Sequence, residues 1–244
     1  MNTSEQKTAG RFDYCPAIET ILHEPHYVGR SGKVVQGVGF STVNNLTTLR
    51  NLHVALKPKS TLEVGLCYGG SCLVFTASHK DLGAPPARQH TAIDPFQREY
   101  WDDIGLLLTE KAGLSDYLEF LPAKSCIALP ELLKAGRTYD LVYIDGSHLF
   151  EDVFVDLYFV TRLLNPGGVV ALDDSSDPHI AKVLSFVRTN LRDILVPMDL
   201  AEYREDRGEN LKYKLGKMTG RLQLTAFKKT SKSDREWNVR FQNF

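Results

Sequence analysis

Thr61-Leu-Glu-Val-Gly-Leu-Cys-Tyr-Gly-Gly-Ser-Cys72 is an apolar strand running into a glycine turn that opens a helix. Glycines at 65, 69 and 70 let backbone approach a ligand or another chain segment where a Cβ would clash. The same unit recurs downstream. Short apolar strands are expected at 61–66, 90–95, 117–122, 139–146 and 167–174, with helical segments at about 70–82, 98–113, 125–135, 149–164 and 178–192. Five consecutive β–α units require crossovers that return the chain to the same sheet edge, so the strands run parallel under helices on both faces. A sixth strand near Ile194–Pro197 and a last strand near Leu222–Lys228, joined by the charged stretch Tyr203–Gly220, complete a doubly wound, seven-stranded α/β sheet. The last strand is expected to be antiparallel.

Upstream, Ser41–Leu56 places Leu46, Leu49, Leu52 and Leu56 at helical spacing, with Ser41 or Thr42 as N-cap and Pro58 as stop. Residues 1–40 read as an irregular extension or lid, 41–230 as the catalytic domain and 231–244 as a tail. At 244 residues, 43% hydrophobic and 24% charged, the chain can bury a full core and has the composition of a globular domain. No apolar run approaches the roughly 18 residues of a spanning helix, and the first residues are too polar for a secretory signal. The expected compartment is the cytoplasm. A net charge of −1 provides no general grip on nucleic acid or on an anionic membrane. That average hides an asymmetry, because from Arg204 onward 11 Lys/Arg face 5 Asp/Glu. Cys15, Cys67, Cys72 and Cys126 lack paired metal spacing and read as reduced thiols.

The glycine turn departs from two phosphate-binding patterns. Cys67 replaces the second glycine of G-x-G-x-x-G, and there is no G-K-[ST], so a nucleoside without phosphates suits the turn better than NAD or ATP. Asp94, 29 residues beyond Gly65, ends the second strand where a carboxylate can accept ribose hydroxyls; capping its own turn is the alternative. Glu63, inside a Leu/Val strand, needs a partner, either a ligand amino group or a neighbouring lysine or backbone amide.

The fourth strand ends in Y143-I-D-G-S-H148 and the fifth in A171-L-D-D-S-S176. Side by side, they would crowd Asp145, Asp173 and Asp174 at one carboxyl edge, where like charges raise one another's pKa unless a cation intervenes. Carboxylate oxygens completed by water suit Mg²⁺ or Mn²⁺. Zinc is disfavoured because no second His or Cys stands near His148. The alternative reading has one acid capping the next helix while the other meets substrate. His148 could remove a hydroxyl proton near neutral pH, or could simply be a surface or capping histidine.

E-V-G-x-x-x-G-G, an acid ending the second strand, Y-I-D-G-S-H and P-G-G-V-V-A-L-D-D together resemble the class I S-adenosylmethionine-dependent methyltransferases across about residues 40–228. The D-G-S-H and D-D pieces are similar to the branch holding catechol-type and macrocin-type O-methyltransferases. The resemblance implies a Rossmann-like fold, S-adenosylmethionine as methyl donor, and Mg²⁺ or Mn²⁺ on Asp145, Asp173 and Asp174. It makes His148 the catalytic base, and puts Glu63, Gly65, Tyr68, Gly69, Gly70, Asp94, Ser125 and Asp145 around the cofactor. It further implies a small hydroxylated acceptor, such as a sugar or catechol-like ring, and acceptor specificity within Tyr203–Gly220. A homo-oligomer is compatible with it. The readings in competition are a metal-independent methyltransferase, a methyltransferase-fold protein with hydroxylase-associated function, a nicotinamide oxidoreductase and a non-catalytic binding module.

Overall fold

Strands that are buried on both faces fix the centre of the molecule. In the computed structural model, which describes residues 11–37, 41–231 and 235–244, every residue of β3 (Thr61–Val64) and β4 (His90–Ile93) is buried. With β5 (Leu118–Leu121), β6 (Tyr139–Ile144), β7 (Leu164–Leu172), β8 (Leu195–Met198) and β9 (Thr225–Lys229) they form one sheet in the order β5-β4-β3-β6-β7-β9-β8. The first five pair in parallel, and β9 runs antiparallel between β7 and β8. This is the expected doubly wound, seven-stranded sheet. The order reverses between β3 and β6, so the carboxyl ends of β3, β4, β6 and β7 share a crevice, where open α/β sheets take their ligands.

Two helical layers cover the sheet. On one face α5 (Ser125–Lys134), α6 (Phe150–Leu163) and α7 (Pro178–Asn190) bury Leu129, Leu157, Val160, Val183 and Val187. On the other, α2 (Val43–Leu56) and α3 (Gly70–Asp81) pack Leu46, Leu49, Leu52, Leu73 and Phe75 against Leu141 and Val169. Each such fully buried aliphatic side chain contributes about 1.5–3 kcal/mol. The Thr42 hydroxyl caps α2 by accepting from Asn45 N at 3.1 Å, and Lys57, in the left-handed region, ends it before Pro58. Asp177 accepts from His179 N at 2.8 Å and starts α7.

Three segments differ from the sequence reading. Of the extension expected to be irregular, residues 1–10 and 38–40 lie outside the described residues. The rest holds α1 (Ala17–His23), whose Ile18 and Ile21 are buried, and a hairpin of β1 (His26–Val28) and β2 (Val34–Gln36). Two turns of helix and three-residue strands are too short to leave a periodic signal. Helix α4 (Ile104–Lys111) starts later than expected, because Asp102 and Asp103 sit at positive φ and the Asp102 carboxylate accepts from Ser31 N and Oγ of the hairpin. The charged stretch contains α8 (Leu211–Thr219), capped by Asn210 accepting from Lys212 N at 2.8 Å. Residues 232–234 of the expected tail also lie outside the described residues. Among the described residues no helix is long and apolar enough to cross a membrane.

Candidate active site

The glycine turn is shaped by its own neighbours. A Cβ on Gly65, at φ +95°, would lie 2.0 Å from the Asp145 carbonyl oxygen, and one on Gly69, at φ +84°, would lie 3.0 Å from the Gly105 Cα. The close approach these glycines permit is therefore between β3, β6 and α4. Asp94, buried at the end of β4, holds the turn in place. Its Oδ2 accepts from Leu66 N (3.2 Å), Cys67 N (3.0 Å) and Gln97 Nε2 (3.1 Å), while Oδ1 accepts from Phe96 N (2.7 Å). The turn-capping role and a place beside the cavity are thus both met, and Oδ1, with one donor, keeps a free lone pair.

That cavity, about 440 Å³, opens at the carboxyl edge between the turn, β4, α5 and β6. The volume is in the range of small-molecule sites. Gly65, Asp94, Ser125 and Asp145, all singled out from the sequence, line it. Cys67, noted in the sequence as the departure from the dinucleotide pattern, lines it too, as do Ile93, Phe96, Trp101, Cys126, Ser147 and Asp152, which were not assigned to the site. Phe96 and Trp101 follow the Asp94-Pro95 strand end, and two aromatics just past that acid were the available signal.

Glu63, Tyr68, Gly69 and Gly70 do not line the cavity. The Glu63 carboxylate accepts from Ser71 Oγ at 2.6 Å and lies 3.2 Å from His90 Nε2, wholly inside the protein. Its partners in the structure are internal side chains. Tyr68, 2% exposed, donates to Gln36 O at 3.0 Å and packs against Tyr27 and Trp101 with centroids 5.4 and 5.0 Å away. It anchors the hairpin under the turn.

At the ends of β6 and β7 the acids converge. Donor atoms of Asp145, His148 and Asp174 lie within 4.8 Å of one another, and His148 Nε2 stands 3.1 Å from Asp174 Oδ2. Burial pushes Asp145 well above the ordinary carboxylate range, and the charge of Asp173 adds to the rise. Asp173, also raised by burial, is engaged differently from its neighbour. Its Oδ1 accepts from Asn45 Nδ2 (2.9 Å), Asp174 N (2.9 Å) and Gln223 Nε2 (3.2 Å), and its Oδ2 from Asn45 Nδ2 (3.1 Å) and Tyr143 Oη (2.6 Å). Four donor groups, making five contacts, fill the roughly four lone-pair sites of a carboxylate. Asp173 therefore meets a cation only by surrendering a donor, and of the three expected ligands the structure brings Asp145 and Asp174 together with His148 instead. Tyr143 also points at Asp145 Oδ2, 3.1 Å away, and ties the two acids into one network. Two carboxylates, one of them buried against its own ionisation, offer oxygen ligands that fit a hard divalent ion, with the His148 imidazole beside them.

The comparisons come to the same region. Residues 62–175 match the family model described as a methyltransferase domain. Caffeoyl-CoA O-methyltransferase of Stellaria longipes is 30% identical over 152 residues, 57% of this chain and 60% of that protein. Its counterpart from Petroselinum crispum is 26% identical over 164 residues, 63% of this chain and 64% of that protein. The chain thus matches less than two thirds of the length of these relatives. Among solved structures, the O-methyltransferase from Bacillus cereus in complex with SAH superposes with a TM-score of 0.60 at 16% identity, covering 75% of this chain and 82% of that one. TomG from Streptomyces achromogenes, involved in tomaymycin synthesis and in complex with SAM, gives 0.57 at 17% identity, covering 77% and 80%. These two likenesses are of fold. Together the matches bear out the resemblance to class I methyltransferases.

Proposed function

We propose that the protein is an S-adenosylmethionine-dependent O-methyltransferase that acts on a hydroxyl of a small molecule with a divalent metal, Mg²⁺ or Mn²⁺, at the acid cluster. One observation carries the reading: Asp145 belongs both to the wall of the 440 Å³ cavity and to the cluster with His148 and Asp174. A methyl donor in the cavity and an acceptor over the cluster would therefore meet at one carboxylate. The matched methyltransferase domain and the O-methyltransferase relatives support the same chemistry.

In this reading Asp94 offers Oδ1 to the ribose, Ser125 faces the adenine side, and Phe96 and Trp101 supply apolar walls. Glu63 and Tyr68 act from behind, holding Ser71 and the hairpin. Asp145 and Asp174 would hold the metal, which when bound lowers the pKa of an acceptor hydroxyl and orients it. His148 takes the hydroxyl proton at Nδ1, while Nε2, 3.1 Å from Asp174 Oδ2, donates to that carboxylate, which stabilises the resulting imidazolium. The acceptor oxygen forms its bond to the methyl carbon as the carbon–sulfur bond breaks, and the work left to the protein is alignment.

The test is calorimetric titration of metal-stripped protein with S-adenosylmethionine, then with Mg²⁺, repeated on Asp145→Ala. Cofactor binding plus a metal site lost in the variant is the expected result. Absence of cofactor binding overturns the proposal, and methyl transfer that survives thorough chelation replaces it with a metal-independent methyltransferase.

A further inference from the structure

Helix α8 wears its apolar face outward. Leu211, Leu215 and Met218, spaced i, i+4, i+7, are 79%, 58% and 85% exposed, while Tyr213 and Gly216 on the opposite side are buried. The inner side is well anchored: Tyr213 Oη donates to Asp199 Oδ1 at 3.1 Å, and the Arg204 guanidinium lies 4.2 Å from the Tyr213 ring centre. The helix is therefore anchored on its inner side and leaves three large apolar side chains in water. Exposed Lys212 and Lys214 flank that stripe on its two sides. Of the six Lys/Arg from 211 to 231, a run without Asp or Glu, Lys217 pairs with Asp199 and Lys229 is buried against backbone carbonyls, which leaves Lys212, Lys214, Arg221 and Lys228 exposed. An apolar stripe between cationic flanks is the pattern of a helix lying in the headgroup layer of an anionic bilayer.

We propose that α8 docks the protein peripherally on an anionic lipid surface, with Leu211, Leu215 and Met218 entering the headgroup layer and Lys212 and Lys214 meeting lipid phosphates. Charge chooses this occupant over a second copy of the chain, since a two-fold contact through the same face would set the lysines of one copy against those of the other. The expectation of no membrane contact came from the net charge of −1, an average over the chain that does not describe the charge around α8. Gln223, four residues beyond the helix, donates to both Asp173 and Asp174, so whatever seats α8 lies one short loop from the acid cluster. The docking itself does not depend on the methyltransferase reading.

Co-sedimentation of the full chain with vesicles tests this, comparing phosphatidylcholine alone with phosphatidylcholine containing about one third phosphatidylglycerol. Expected are binding to the anionic vesicles only, release as salt shortens the Debye length to about 3 Å near 1 M, and a roughly tenfold or greater loss in Leu215→Gln/Met218→Gln. Lys212→Gln/Lys214→Gln should lose the preference for anionic lipid. Leu82→Gln, at an exposed apolar position elsewhere, should bind as the parent does. Circular dichroism melts check that each variant folds. Failure of the parent to bind anionic vesicles at low salt, or equal binding by Leu215→Gln/Met218→Gln, overturns the proposal. So does a parent dimer, seen by light scattering, that the same substitutions dissociate, because the face would then be a contact between copies.

Discussion

Replacing Asp156 by Asn should stabilise the protein at pH 8 relative to pH 4, because this carboxylate is buried without adequate compensation. Asp156 lies on the inner side of α6, 1% exposed, and neither carboxylate oxygen has a hydrogen-bond partner in normal geometry. Burial pushes its pKa from 3.8 up to about 6; the nearby Ser125 hydroxyl opposes the rise and the Asp152 charge adds to it. With a folded pKa above the unfolded one, the folded state holds the proton more tightly, so stability is lost as pH rises from about 4 through 6. A difference of about two pKa units at 1.36 kcal/mol each amounts to about 3 kcal/mol of destabilisation once both states are ionised. Some of this cost is already present at pH 4, so the gap between parent and Asp156→Asn should widen by about 2–3 kcal/mol from pH 4 to pH 8. The asparagine amide brings its own packing offset, but that offset is the same at both pH values and cancels in the comparison. Urea unfolding followed by far-UV circular dichroism at the two pH values reads the difference directly. An equal gap at both would show that Asp156 is solvated or paired in solution, and would refute the burial argument.

His148→Ala should lower methyl-transfer turnover by about 10²–10⁴-fold while leaving S-adenosylmethionine affinity unchanged by calorimetry. Turnover within a few-fold of the parent would assign the proton to another group. Gly65→Ala puts a methyl 2.0 Å from the Asp145 carbonyl oxygen at φ +95°, where side chains are already strained. A cost above about 3 kcal/mol is expected, seen as a much lower melting temperature or no soluble protein; a melting temperature equal to the parent's would mean that β3 and β6 separate more easily than their packing indicates.

The sheet was legible because its signals are local and repeated: each strand is a short apolar run, each ends in Gly, Asp or Pro, and each crossover carries helical spacing. The last strand is antiparallel as expected, but that expectation rested on a loop before it, where the structure has α8. Less legible was anything decided by partners distant in sequence. Asp173 and Asp174 are adjacent acids, and nothing in the sequence says that Asn45, 128 residues upstream, saturates the first and leaves the second to face His148. Glu63 and Tyr68 sit within the most recognisable motif of the chain, yet His90, Ser71 and Gln36 turn them inward. The α8 stripe was hidden for another reason, since its three apolar residues have the spacing of a core-facing helix and only burial separates a face turned in from one turned out.

Strand β9 sits between β7 and β8 although both precede it in the chain. During synthesis, β8 has no neighbour to pair with until residues 225–229 arrive, so the sheet cannot close from its N-terminal side alone. The segment that closes it also delivers Gln223 to Asp173 and Asp174. Completion of the edge and assembly of the acid cluster are therefore one late, long-range event in folding. A chain interrupted before residue 225 would keep most of its β–α units, yet expose an open strand edge prone to pairing with other molecules.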